Sequence, residues 1–265
     1  LKLRGLNSLE SLAGLRGCSV QSLDIDDCGN ISSLSGISDC PRLAELSIWR
    51  LAGLESLAGL QNLPLLERVK VAECPLFTDL AGVDALPALS ALTLRELPAL
   101  TDVSDLAGGP ALARLGVSYC GNLTSLSGLK LQHNCSLYVV YCASLTSLQG
   151  IALPDTMTTL NMDGPSVADL GEMASVRAIT YLDLETTSLE SLAGLENLRH
   201  IRSSLRLNDN PYLTDASALA GIDSVGYWIT ITNNRLLDNC AMVEIAEDWQ
   251  PLYEPTIRNN GPCAP

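Results

Sequence analysis

The chain has 265 residues and a net charge of −14, from 30 acidic against 16 basic residues, and is 47% apolar with only 4% aromatic. That balance disfavours a nucleic-acid binder, whose phosphate partner needs a positive face. No apolar run approaches the roughly 20 residues of a membrane span.

In chain order, pairs of apolar residues flanking one intervening residue recur as Leu1/Leu3, Leu23/Ile25, Leu46/Ile48, Val69/Val71, Leu92/Leu94 and Leu115/Val117. They continue as Leu137/Val139, Leu160/Met162, Leu182/Leu184, Leu205/Leu207 and Ile229/Ile231. An alternating pair reads as a short strand with one face inward. After the strand at Leu46, Leu51, Leu54, Leu57 and Leu60 follow at intervals of three, the signature of a tight 3₁₀-like arc. Such a unit buries nothing alone, and a fixed period of this length marks a solenoid whose neighbouring coils complete each other's core. One elongated domain is therefore expected over residues 1–238. Glycines at 14, 36, 59, 82, 128, 150 and 194 fall at one place in the arc, which calls for positive φ or close packing between coils. The N-terminal coil has no segment to cover its leucines, as expected of a processed or trimmed piece.

Later coils are less regular. Asn134 replaces a leucine, and the stretch from Gly171 to Tyr181 reads as a short helix in place of the arc. From Asn239 the period of two and three gives way to a helical one in Met242, Val243, Ile245, Ala246 and Trp249, with Asn239 as N-cap and Pro251 as terminator. Thr256 and Ile257 read as a last strand. Residues 239–265 are thus expected to cap the solenoid.

The segments LAELSIWRLAGL and RLAELSI resemble the leucine-rich repeat, L-x-x-L-x-L-x-x-N/C-x-L. Its ladder position is filled by Cys28, Cys74, Cys120, Cys142, Asn210 and Asn234, and by Leu6, Leu51 and Leu97. The LxSLxGL arm looks like that of bacterial surface and internalin-like repeats, and NNRLLDNCAMVEIAEDW…TIRNNGPC looks like the cysteine-bearing cap of secreted bacterial leucine-rich-repeat and receptor-L-like proteins. The resemblance implies a right-handed α/β horseshoe with a parallel concave sheet, short convex arms and a helical C-terminal cap. It also implies a bacterial protein at the cell surface or outside the cell, and a Cys240–Cys263 disulfide in the cap.

The other cysteines divide by position. Those of the ladder are small buried side chains. Cys18 and Cys40 occupy equivalent places in adjacent coils, and two readings stay open: a disulfide, or two leucine-like slots.

No H-x-H, H-E-x-x-H, C-x-x-C or G-x-S-x-G spacing occurs, and His133 and His200 lie in different coils. Neither enzyme, cofactor nor metal is expected. Outward strand positions instead gather Arg68, Lys70, Arg95 and Arg114 beside Trp49 and Tyr138, the residue types of binding hot spots. The expectation is a non-catalytic module that binds a protein carrying acidic groups. A glycan-binding or adhesive structural domain is the alternative, and a regulatory repeat domain of a larger intracellular protein the third reading.

Overall fold

The computed structural model describes residues 1–263, and all eleven expected strands form. The chain makes two compact units, Leu1–Lys130 and the remainder from Leu131.

The first unit carries β1 (Lys2–Arg4), β2 (Ser22–Asp26), β3 (Glu45–Trp49), β4 (Arg68–Ala72), β5 (Ala91–Arg95) and β6 (Leu112–Ser118). Each pairs in parallel with the next, without register shift, so that Leu23, Leu46, Val69, Leu92 and Leu115 form one inward row. Ile25, Ile48, Val71, Leu94 and Val117 form the row beside it, and both are buried. Full burial of such a side chain contributes roughly 1.5–3 kcal/mol. The period of three in the arms is realised as i→i+3 hydrogen bonds: the N–H groups of Leu54, Leu60 and Leu66 donate to the carbonyls of Leu51, Leu57 and Leu63. Short 3₁₀ turns at Ala13–Leu15, Ser35–Ile37, Val83–Ala85 and Ser104–Ala107 complete the other arms. Strand, arc and strand repeated in this way make a leucine-rich-repeat solenoid.

The second unit carries β7 (Leu131–Val140), β8 (Thr156–Asp163), β9 (Ala178–Glu185), β10 (His200–Asn208), the short β11 (Ser224–Val225), β12 (Trp228–Thr232) and β13 (Thr256–Arg258). All pair in parallel, and β10 holds one extra residue against β9, a bulge between Ile201 and Ser204. The expected helix after Gly171 is a 3₁₀ helix, Gly171–Ser175, with Met173 and the following Val176 buried.

Gly14 shows neither positive φ nor a close neighbour and Gly36 only the close approach, whereas at Gly59, Gly82 and Gly194 both sequence-based alternatives hold together. Gly82 has φ +99° and Gly194 φ +105°, and a Cβ on either would lie 2.6 Å and 2.1 Å from the carbonyl oxygens of Leu57 and Leu170 in the preceding coil. Where Asp105 replaces the glycine, its carboxylate accepts from the Leu80 N–H at 2.9 Å and binds the coils through the side chain instead.

A second left-handed position went unread in the sequence. The residue just after every strand but β11 has positive φ: Gly5, Asp27, Arg50, Glu73, Glu96 and Tyr119, then Tyr141, Gly164, Thr186, Asp209, Asn233 and Asn259. Turning the chain there aims its N–H at the next coil; Glu73 donates to Arg95 and Thr186 to Asn208.

The ladder position changes along the chain; Cys142, at the start of the second unit, still bonds the Val140 carbonyl at 3.6 Å as the cysteines of the first unit do. Cys28, Cys74 and Cys120 each turn their thiol back on a carbonyl two residues earlier, at 3.3–3.6 Å. In the second unit, Asn210 Oδ1 accepts from Thr187 N–H, Asn234 Oδ1 accepts from Asn210 N–H and its Nδ2, and Asn260 Oδ1 accepts from the same groups of Asn234. The Nδ2 groups of Asn210 and Asn234 also donate to the carbonyls of Leu184 and Leu207. Asn260 is a rung the sequence did not reveal.

The cap helix α1 spans Asn239–Glu247. Its N-cap is Asp238 and not Asn239, because the Asp238 carboxylate accepts from the N–H groups of Cys240 and Ala241. Asn239 instead accepts from Asn260 Nδ2 through its side chain. Met242, Ala246 and Trp249 are buried, whereas Val243 is exposed. Cys240 and Cys263 are joined by a disulfide with Cα atoms 5.1 Å apart. β13 pairs with β12 as expected. Cys18 and Cys40 are free thiols whose sulfurs lie 2.7 Å apart. Burial first, and the Cys18 neighbour second, push the Cys40 thiol up to about 11.

Among the described residues, no helix is long and apolar enough to cross a membrane.

Candidate functional site

Strand residues that alternate inward and outward leave one outer row per pair of strand positions. In the first unit the register aligns Glu45, Arg68, Ala91 and Arg114 in one outer row, and Ser47, Lys70 and Thr93 in the next. Arg68, Lys70 and Arg114 line one shallow cleft with Glu45 and Thr93. The Lys70 ammonium sits 4.0 Å from the centroid of the Trp49 ring, a cation–π contact that holds both side chains on the face.

The charge of this patch is partly compensated. Arg68 is hydrogen-bonded to the Glu45 carboxylate and also pairs with Glu67 at 3.2 Å. Arg95 bonds Glu96 at 2.9 Å and stacks over Tyr119, its carbon 5.3 Å from the ring centroid. The hydrogen bonds to Glu45 and Glu96 hold these guanidinium protons more firmly still. Tyr138, half-buried on β7 and aligned with Asn161, belongs to the second unit. The structure thus brings Trp49, Arg68, Lys70 and Arg114 together on one face, with Arg95 on the neighbouring β5.

The acidic residues near the N-terminus are ion-paired. Asp26 meets Arg4 at 3.1 Å and Arg50 at 2.6 Å. Asp238, Cys240 and Cys263 bring three ligand atoms within 4.8 Å of one another, but the two sulfurs are tied in the disulfide and Asp238 caps the helix.

The second unit presents a different surface. Tyr181, Ser204 and Trp228 form one cross-strand row, with Asp183 and Arg206 opposite each other in the next. Beyond β12, the N–H groups of Leu252 and Tyr253 donate to the carbonyls of Gly226 and Tyr227. That pairing lays the Tyr253 ring on Trp228, with centroids 5.1 Å apart and planes 4° from parallel. Tyr227 adds a third ring, 5.7 Å from Trp228. All three rings and Tyr181 are 44–51% exposed. Tyr181 and Trp228 occupy outward strand positions, whereas Tyr253 lies where no strand pattern marks it.

No protein-family model matches the sequence, and no curated protein matches it. Among solved structures, the chain is similar to an internalin (InlF) from Listeria monocytogenes, at 18% identity over 77% of this chain and 72% of that one, with a TM-score of 0.31.

Proposed function

We propose that the chain is a non-catalytic binding module that recognises a protein partner with acidic groups through the outer face of β3–β6. The observation that carries this reading is the Lys70–Trp49 pair at 4.0 Å beside the cleft that Arg68 and Arg114 line. A tryptophan edge with cations is the chemistry of an interface anchor. Because Arg68 and Arg95 already hold carboxylates, an acidic partner docks by exchanging with Glu45, Glu67 and Glu96. Residues 1–238 then serve as the solenoid and 239–265 as its cap. The Cys240–Cys263 disulfide supports an oxidising compartment, and hence a place outside the cell or on its surface, over the intracellular regulatory reading.

The test uses labelled glutamate-rich and lysine-rich peptides as probes, read by fluorescence anisotropy. The glutamate-rich probe binds, and more slowly as salt rises, since steering is screened beyond about 8 Å at physiological salt. Trp49→Ala costs about 2 kcal/mol of binding if it anchors the contact, and Lys70→Glu abolishes it. Glu55→Ala and Gln61→Ala, on exposed arm positions, are the controls. Controls that weaken binding while Trp49→Ala leaves it intact overturn the assignment.

A further inference from the structure

We propose that a slot on the outer face of the second unit, between the rings of Tyr181 and Trp228, binds a neutral hexopyranose ring of a carbohydrate. Tyr181 and Trp228 lie on β9 and β12, both in register with Ser204 on the strand between them. Two strand spacings separate aromatic positions by about 9.6 Å. A ring held at van der Waals distance from both walls needs about 7–8 Å. The small, buried Ser204 leaves the floor low, and Leu182, Asp183 and Arg206 complete a cleft of about 280 Å³. The β10 bulge before Ser204 sets this alignment, and Tyr253 stacks on Trp228 and holds its ring upright.

The polar groups fit hydroxyls. Asp183 Oδ2 faces Arg206 Nη1 at 3.7 Å, while its Oδ1 is buried with no hydrogen-bond partner among the described residues. A buried acceptor left unmade is costly, and each such group calls for an explanation. The Asp183 side chain is 18% exposed, so a small turn of its carboxylate lets a sugar hydroxyl donate to it while a neighbouring hydroxyl accepts from Arg206. Burial also pushes the Asp183 carboxyl above its usual range, against the pull of Arg206 and Asn161, so a donor there relieves a carboxylate short of solvation.

A pyranose offers both an apolar C–H face for the rings and hydroxyls for the pair. A quaternary ammonium suits the rings, but the Arg206 guanidinium in the same cleft opposes it. A flat aromatic ligand leaves Asp183 Oδ1 unsatisfied. The site lies in a different unit from the Lys70–Trp49 face and does not depend on that reading.

The experiment is saturation-transfer NMR and titration of the intact, oxidised chain with methyl glucopyranoside, galactopyranoside and mannopyranoside and their disaccharides. At least one binds saturably and shifts the emission of Trp228. Trp228→Ala and Asp183→Asn each weaken binding by about tenfold or more, Trp228→Phe by less, and Glu55→Ala, on an exposed arm, not at all. Circular dichroism of each variant separates lost binding from lost folding. No saturable binding across the panel overturns the proposal. So does binding that survives both Trp228→Ala and Asp183→Asn in folded protein, or tetramethylammonium that binds more tightly than every sugar.

Discussion

The two units solve one problem with different side chains. Behind each strand the chain turns inward, and its backbone groups there need partners. In the first unit the ladder alternates Cys28, Leu51, Cys74, Leu97 and Cys120, and each thiol donates to a carbonyl of its own coil. In the second unit Asn210 and Asn234 each accept a backbone N–H from the preceding coil and donate to a carbonyl of that coil, and their Nδ2 groups also donate forward to Asn234 and Asn260. A cysteine fills the turn, whereas an asparagine fills it and sews three coils together. The difference teaches that a repeat motif written N/C at one position hides two energies.

The largest test of this comparison is Asn234→Leu against Cys74→Ala. The first strands Asn210 N–H and the Leu207 carbonyl, each a buried polar group costing about 1–3 kcal/mol when unmade, while Asn260 Oδ1 keeps the backbone N–H of residue 234. A total loss of about 4 kcal/mol is expected. Cys74→Ala removes a small apolar group and one weak thiol bond, for about 1 kcal/mol. Urea unfolding midpoints at constant slope measure both. Equal losses erase the distinction.

Next in size is the cap. Reducing Cys240–Cys263 frees a loop with a sequence separation of 23 and costs about 3 kcal/mol in the loop-entropy model. Hydrogen exchange should rise in β12, α1 and β13 and leave β2–β5 unchanged. Protection lost uniformly along the chain contradicts that.

The smallest expected effect sharpens the comparison at the left-handed position after each strand. There the second unit builds an outer row as well, Asn259 Nδ2 donating to Asn233 Oδ1 and Asn233 Nδ2 to Asp209 Oδ1. Thr186, β-branched at φ +50°, interrupts the favourable residue types. Thr186→Asn should gain about 1 kcal/mol, since asparagine tolerates this conformation and reaches Asp163 as the threonine hydroxyl does. Glu73→Asn in the first unit, with a flexible unbranched side chain, should gain about half as much. Thermal unfolding of the two variants ranks them, and a Thr186→Asn variant that melts lower than the parent refutes the argument.

How much of this is legible in the sequence follows from what each feature needs. The strands and arms are, because burial forces apolar residues into fixed intervals and Leu46, Ile48, Leu51 and Leu54 obey them. The rung at Asn260 is not, because α1 intervenes and the interval from Asn234 stretches to 26 residues. The left-handed residues are hidden for a different reason. Arg50, Glu73, Tyr119 and Thr186 share a backbone angle and nothing chemical. At the site, residue types placed the cations on the outer face, but only coordinates pair Arg68 with Glu45 and Arg95 with Glu96. Tyr253 reaches Trp228 through backbone pairing outside any strand, which no periodicity encodes.

The cap disulfide also sets how the chain behaves under tension. Between Cys240 and Cys263 the covalent path is fixed at a 5.1 Å Cα separation, whereas the reduced segment can pay out about 80 Å of extended chain. Pulled by its C-terminus, the oxidised protein transmits load directly to the strand–helix junction at Asp238, and α1 is bypassed. Held at that end, the molecule would feel force first in the coils that Asn210, Asn234 and Asn260 join.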